Sequence, residues 1–452
     1  MKLPRILFAG SGSGVGKTVI TTGIMAALKA RGLAVQGYKV GPDYIDPGYH
    51  REATSNPSRN LDSYLMKPQT IREIFLRNSI GKDISIIEGV RGLFEGVSIQ
   101  DEVGSTSHIA KILEAPVILI VNARSITKSA AAIVEGFRSF DRDVRIKGVI
   151  LNNIAGEGHK RKAVSAVENF CGIEVLGAIP RDERMKMRDR HLGLIPMVES
   201  RIRLDGVRSV IEESVELDRI VRIAEDAPPV EVDDPVIFLR QKEVDDTVFR
   251  VGVAYDDAFN FYYEDSLDLL RINRCEPIFF SPLNDQEPPE LDGLYLGGGY
   301  PEVFAERLAS NERMLKAIKK LLDDGIPTIA ECGGLIYLGE RLCGSKGVGF
   351  LPIESKMGRR YVKLTEAETI RESVILGRGE RVRGHEFHYT VIENPPSDLR
   401  FAYRMLRGDG IDGEHDGILQ ERVLASYMHL HFASKPEMVL RFRKEMRRFR
   451  RR

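Results

Sequence analysis

The 452-residue sequence is short of cysteine, has no surplus of either charge, and lacks long apolar runs. Its four cysteines, Cys171, Cys275, Cys332 and Cys343, form no C-x-x-C pair, which excludes a disulfide framework and zinc-site spacing. A reducing cytoplasm is the expected location. With 66 Lys+Arg against 66 Asp+Glu the formal net charge is +0, so bulk charge makes no case for a polyanion partner and any phosphate chemistry must be local. Apolar runs such as Ala115 to Val121 fall far short of the roughly 20 residues that span a bilayer, and the few apolar residues after Arg5 are too short for a signal-peptide core. The basic end, Arg441 to Arg452, holds eight Lys/Arg against one acid and reads as a solvated helix end. Neither nucleic acid nor membrane is an expected partner.

What is present is ordinary globular composition, 42% hydrophobic and 29% charged, on a chain long enough for two to three domains. The short apolar run Ile6 to Ala9 enters a Gly/Ser-rich turn, and Val19 to Ala30 reads as a helix closed by Gly32. β-Branched runs follow at Ala34 to Val40, Ile84 to Ile87, Val117 to Val121, Gly148 to Leu151 and Val175 to Ile179, separated by helical patterns such as Ser129 to Phe140 and Lys160 to Phe170. This alternation predicts an α/β fold with a mostly parallel sheet covered on both faces. Between Glu225 and Thr247 an acidic, proline-bearing stretch marks a boundary. Strands at Arg250 to Tyr255, Pro277 to Phe280 and Leu294 to Leu296, with helices at Tyr262 to Leu270 and Asn311 to Leu322, then restart the rhythm. The expected division is 1–225, a linker 226–247, and 248–452.

Gly10-Ser11-Gly12-Ser13-Gly14-Val15-Gly16-Lys17-Thr18 stands between strand and helix, where backbone amides and a helix N-terminus can cradle a nucleotide's phosphates. Gly12, Gly14 and Gly16 supply the loop, Lys17 reaches the outer phosphates and Thr18 the Mg²⁺. Ser11 stands where G-x-x-x-x-G-K-[ST] has its first glycine, and the glycines beside it preserve the turn. Glu88 ends the apolar strand Ile84 to Ile87 and suits a Mg²⁺ ligand or a water-orienting group. Asp43 and Asp46 follow the second strand, so they share the carboxyl-end rim with the phosphate loop and read as metal- or substrate-handling acids.

Cys332, in Ala330-Glu331-Cys332-Gly333-Gly334, follows the apolar Ile326 to Ile329 and precedes a helix-like Leu335 to Arg341. At such an elbow the helix dipole favours thiolate and Gly333 offers its N–H to an oxyanion. Gly298 and Gly299 sit in a second glycine-rich turn whose amides can complete that oxyanion hole. Cys171, Cys275 and Cys343 read as small buried hydrophobes. The base should be a histidine: Ala425 to Phe432 alternates along an apparent strand, so His429 and His431 share a face and either can take the Cys332 proton. His385 and His388 miss the H-E-x-x-H zinc spacing and are assigned no catalytic role.

Lys39-Val-Gly-Pro-Asp-Tyr-Ile-Asp46, Glu88-Gly-Val-Arg-Gly-Leu-Phe-Glu-Gly96, Asn152-Asn153, Ile179-Pro-Arg-Asp182 and Arg190-His-Leu-Gly-Leu194 resemble the cobyrinic acid a,c-diamide synthase family. These are glutamine-dependent amidoligases whose ATP half is similar to dethiobiotin synthetase, and the motifs here run from residue 6 to residue 432. The resemblance implies an N-terminal P-loop-type parallel sheet followed by a class I glutamine amidotransferase-like α/β domain. It implies ATP and Mg²⁺ as cofactors, adenine contacts near Asn153, Mg²⁺ held by Thr18, Asp43 and Glu88, and Tyr44-Ile45 facing a tetrapyrrole polycarboxylate. In class I amidotransferases a Gln-Phe-His-Pro-Glu stretch supplies the base and its orienting acid. Here His429 aligns with that histidine and His431 occupies the acid's position, so the orienting acid is not identified and the choice between the two histidines stays open.

The reaction that the resemblance implies is amidation of two peripheral acetates. A carboxylate does not accept ammonia at neutral pH, because oxide is a poor leaving group, and phosphoryl transfer from ATP removes that obstacle. Cys332 would release ammonia from glutamine, and an internal passage is expected to carry it unprotonated. Three rivals stand beside this reading: nickel-sirohydrochlorin a,c-diamide synthase of coenzyme F430 formation, cobyric acid synthase, and a partitioning-type ATPase that binds DNA or membrane. The last carries an additional lysine where Gly12 stands and has no need of Cys332 with His429. Self-association as a homodimer is left open.

Overall fold

The computed structural model describes residues 2–186, 197–230, 235–239 and 244–451. The Arg190–Leu194 motif lies outside the described residues, as do 231–234 and 240–243 of the expected linker. The chain divides into two compact units, Met1–Pro235 and Val236–Arg452.

In the first unit seven strands run in the order Arg59–Leu61, Val35–Val40, Ile84–Glu88, Arg5–Gly10, Val117–Asn122, Ile146–Ile154, Val175–Pro180, every neighbouring pair parallel. Parallel strands are covered on both faces, which is why these segments read as continuous apolar runs rather than alternating ones. Helix Lys17–Ala30 packs Ile20, Ile24 and Leu28 into one core with Ile6, Phe8, Ile118 and Ile150. Gly23 lets helix Met197–Ser214 approach closely: a Cβ there would lie 2.7 Å from both Val207 Cγ1 and Ile211 Cγ1. Strand order reverses at Arg5–Gly10, flanked by Ile84–Glu88 on one side and Val117–Asn122 on the other. Open α/β sheets bind ligands in the crevice at such a reversal, and the phosphate loop opens there.

The second unit holds a mixed sheet. Cys275–Phe280, Phe249–Ala254, Gly293–Leu296, Thr328–Glu331 and Val423–Ser426 are parallel neighbours. His415–Gln420, Phe401–Arg407, Leu351–Thr369 and Arg381–Glu393 extend the sheet antiparallel. The α/β class is thus as expected, with two local corrections. The helix read over Leu335 to Arg341 is Gly333–Tyr337, and Gly339–Leu342 is a strand; Gly339 pairs with Leu351, and a Cβ on it would lie 2.8 Å from Ile353 O. Nor is Ala425 to Phe432 one strand. After Ser426 the Tyr427 and Met428 amides donate to the Asp416 carboxylate, at 3.0 and 2.9 Å, which draws the chain off the parallel sheet. His429–Leu430 then pairs with Arg381–Glu393 instead. Alternation along one strand therefore does not orient the two histidines.

Candidate functional site

The phosphate loop is shaped by glycine. Gly16 has φ 98°, open to glycine without steric cost, and a Cβ there would lie 2.5 Å from Asn152 Nδ2. Asn152 in turn donates to Val15 O at 2.9 Å, tying loop to sheet. Lys17 Nζ lies 3.2 Å from Gly12 O, while Gly14, with φ 72°, is exposed. Thr18, in the first turn of the helix, donates to Glu88 Oε1 at 2.7 Å and stands 3.3 Å from Asp46 Oδ2. Asn153, near the carboxyl end of its strand, takes φ 66° and donates to Asn122 Oδ1 at 3.0 Å.

Glu88 is the hub of this rim. Lys39 Nζ meets its Oε1 at 2.8 Å and Asp46 Oδ2 at 2.6 Å, and His50 Nε2 lies 2.6 Å from its Oε2. Burial opposes the charge on Glu88, but Lys39 and the hydrogen bond to His50 outweigh it and hold the carboxyl well below its usual range. Lys39 is held up, against its own burial, by Asp46 and Glu88. Burial, then Asp43 and Glu88, push Asp46 up, and Lys17 is pushed down to about 8 by burial and then by Lys39. Three carboxyl groups, Asp46, Glu88 and Asp43, thus bear on Lys39 at this rim. Among the described residues no group of three His, Cys, Asp or Glu makes a metal cage by itself. Two carboxylates and a threonine hydroxyl converging at a phosphate loop nevertheless fit Mg²⁺, which normally completes its shell with phosphate oxygens and water.

Asp43, expected beside Thr18 and Glu88, instead commits Oδ1 to the amides of Ile45 and Asp46, at 2.8 and 3.0 Å. It opens helix Ile45–Thr54, with Tyr44 and Ile45 half-buried at the turn, and Asp46 takes the place against Thr18. Lys39 and His50 were missed as participants. His50 follows Asp46 by four residues on one helix, a spacing that places both on one face and was a usable signal.

In the second unit Cys332 takes φ 48° and ψ −93° between strand Thr328–Glu331 and helix Gly333–Tyr337. Positive φ at a side-chain-bearing residue costs about 1–3 kcal/mol and is the conformation of a nucleophile elbow. Gly334 seats the helix, because a Cβ there would lie 2.2 Å from Leu296 O. The Gly333 amide bonds the thiol, Sγ lies 3.4 Å from Phe387 O, and Gly299 N is 3.2 Å from where a Gly333 Cβ would stand. The Gly333 and Gly299 amides are therefore neighbours beside the thiol. Burial, and then Glu302, push the Cys332 thiol well above its ordinary range. The expectation of a dipole-favoured thiolate is thus corrected: a five-residue helix does not offset that burial.

His429 and His431 face different surroundings. A Cβ on Gly298 would lie 2.5 Å from His429 Cε1 and 3.3 Å from its Nε2, which places that ring edge over the glycine turn. His431 Nδ1 accepts from Ala433 N at 3.2 Å, and its ring is 4.4 Å from that of Tyr263. His385, given no role from sequence, stacks on His429 with centroids 4.9 Å apart and lies 3.2 Å from Tyr263 Oη. Glu331 Oε2 lies 3.7 Å from His429 Nδ1.

Comparison with known proteins agrees with both halves. Residues 6–195 match the CobQ/CobB/MinD/ParA nucleotide binding domain, and residues 250–437 the CobB/CobQ-like glutamine amidotransferase domain. The cobyrinate a,c-diamide synthase of Methanocaldococcus jannaschii is 47% identical over 448 residues, covering 96% of this chain and 98% of that protein. Those of Methanobrevibacter smithii and Archaeoglobus fulgidus are 45% and 44% identical, covering 96% and 98% of each chain respectively. Among the described residues no helix is long and apolar enough to cross a membrane. A nucleotide-binding half and a glutamine amidotransferase half on one chain, matched nearly end to end by these relatives, place the chain in the cobyrinate a,c-diamide synthase family of amidating ligases.

Proposed function

We propose that the protein amidates the a and c acetate carboxylates of cobyrinate, spending one ATP and one glutamine on each. The choice of this macrocycle over nickel-sirohydrochlorin rests on the names borne by the relatives. Thr18, Asp46 and Glu88 would hold Mg²⁺, which when bound draws the phosphate oxygens together and neutralises charge that builds on them. Lys17 positions the γ-phosphoryl group for in-line transfer to the substrate carboxylate, giving an acyl phosphate and ADP. Asp43, by capping the turn, presents Tyr44 and Ile45 to the macrocycle, and Asn153 lies toward the adenine.

In the other half Cys332 Sγ bonds to the side-chain amide carbon of glutamine. Its proton passes to His429 and on to the departing nitrogen, and water then cleaves the thioester to glutamate. Gly333, Gly299 and Gly298 line the oxyanion side. Ammonia displaces phosphate from the acyl phosphate, closing the amide. The observation that carries this reading is the convergence of Thr18, Asp46 and Glu88 at the head of the phosphate loop, with a strained cysteine elbow on the same chain. Incubation with ATP, glutamine and each tetrapyrrole should add two amides by mass to cobyrinate. Cys332→Ala should abolish glutamine-driven amidation and leave ammonia-driven amidation intact. Full glutamine-dependent activity in that variant would remove the cysteine from the mechanism, and a mass gain on nickel-sirohydrochlorin alone would change the substrate.

A further inference from the structure

His431 stands where class I amidotransferases place the acid that orients their base, but it carries no negative charge and faces Tyr263 and the Ala433 amide. A carboxylate reaches His429 from another element, the strand Thr328–Glu331. Glu331, immediately before the nucleophile, is 2% exposed, with Oε2 3.7 Å from His429 Nδ1. Both its oxygens are anchored: Oε1 accepts from Leu430 N at 3.1 Å, and Oε2 accepts from Tyr295 Oη at 3.0 Å. Leu430 adjoins His429, so the acid and the base are fixed to one short segment of backbone.

We infer that Glu331 is the positioning residue for His429 in glutamine hydrolysis, taking the role that the acid two places after the histidine has elsewhere. The inference rests on reading the C-terminal unit as the glutaminase. With Nδ1 turned to Glu331, it is the Cε1–Nε2 edge of the ring that lies over the Gly298 turn, and Nε2 is the nitrogen assigned to the Cys332 proton. At 3.7 Å the contact is longer than a hydrogen bond to a neutral ring. Once the ring takes a proton, attraction closes the gap into a charge-assisted bond, so Glu331 acts on the state formed during attack rather than on the resting one. Other ionisable groups are arranged differently around the base: His385 stacks on it, Asp416 holds the Tyr427 and Met428 amides, and Glu302 and Glu386 bear on Cys332. Strand alternation gave no sign of this, because it sends adjacent side chains to opposite faces.

Glu331→Gln preserves size and an acceptor and removes the charge. In the full-length protein, kcat for glutamine hydrolysis should fall on the order of 10²–10⁴-fold, as when a triad acid is made neutral, with KM little changed. The acid limb of the kcat/KM profile should move to lower pH, since the imidazolium has lost its anion. Ammonia-driven amidation should remain at the parent level, which also reports an intact fold. Tyr295→Phe, which frees one carboxylate oxygen from its anchor, should lower the rate by less. A parental rate in Glu331→Gln, or a reduced rate with its acid limb unmoved, overturns the inference. A parent protein that hydrolyses glutamine and amidates nothing would sink the ligase reading and leave this inference standing.

Discussion

At the head of the N-terminal sheet Lys39 and Glu88 are buried as ions that hold each other, whereas at the elbow of the C-terminal sheet burial drives Cys332 and His385 toward their neutral forms. Phosphoryl transfer handles a substrate that is charged throughout, so fixed charges can be set in place at folding and need no reorganisation during reaction. A thiol nucleophile needs its charge only at attack, and a buried neutral thiol beside a base keeps it in reserve. On the proposed reading one chain meets two catalytic problems with opposite electrostatics, and the difference can be tested site by site.

The largest separation should come from Lys17→Ala. Amidation from either nitrogen source should drop by roughly 10²–10³-fold or more, as when a preorganised charge-stabilising donor is removed, while glutamine hydrolysis continues. A parallel fall in both activities would mean that the two sites do not work independently. Glu88→Gln addresses the fixed ions: it leaves Lys39 and His50 buried against a neutral amide and should cost about 3–5 kcal/mol of unfolding free energy, read from urea denaturation of the N-terminal unit. Unchanged stability would show that the ions do not depend on one another.

Asp62 sharpens the comparison, because it is a buried acid in the N-terminal unit that behaves like the groups of the thiol site. It accepts the Tyr64 and Leu65 amides through Oδ1, at 2.7 and 2.9 Å, and burial pushes it up to about 6. A raised carboxyl favours the fold when protonated, so its contribution is complete below about pH 4, the ordinary aspartate value, and is lost as pH rises through about 6. Asp62→Asn keeps an acceptor for both amides. Its stability relative to the parent should therefore rise between pH 4 and pH 8, and a pH-independent difference would contradict the assignment.

Legibility in the sequence divided along similar lines. The parallel sheet and the phosphate loop were readable because apolar runs and a glycine string are local signals: six of the sheet's seven strands fell within a few residues of their expected places, and only the three-residue Arg59–Leu61 was not foreseen. The long strand Leu351–Thr369 was not, since its exposed stretch, Lys356 to Arg360, carries charge rather than an apolar pattern. Partnerships were harder still. Lys39, Asp46, His50 and Glu88 come from three elements, and only the fold brings them together. The break after Ser426 depends on Asp416, ten residues upstream, which nothing in the alternation of Ala425 to Phe432 reveals.

The coupling of the two halves is tested most directly by mass analysis of one reaction run with ¹⁸O in the substrate carboxylates and ¹⁵N in the glutamine amide. The account predicts that each amide formed places one ¹⁸O in inorganic phosphate and one ¹⁵N in the product, and that the ¹⁵N, but not the ¹⁸O, is lost when Cys332→Ala is driven by unlabelled ammonia. Phosphate released without ¹⁸O while amides accumulate would contradict it.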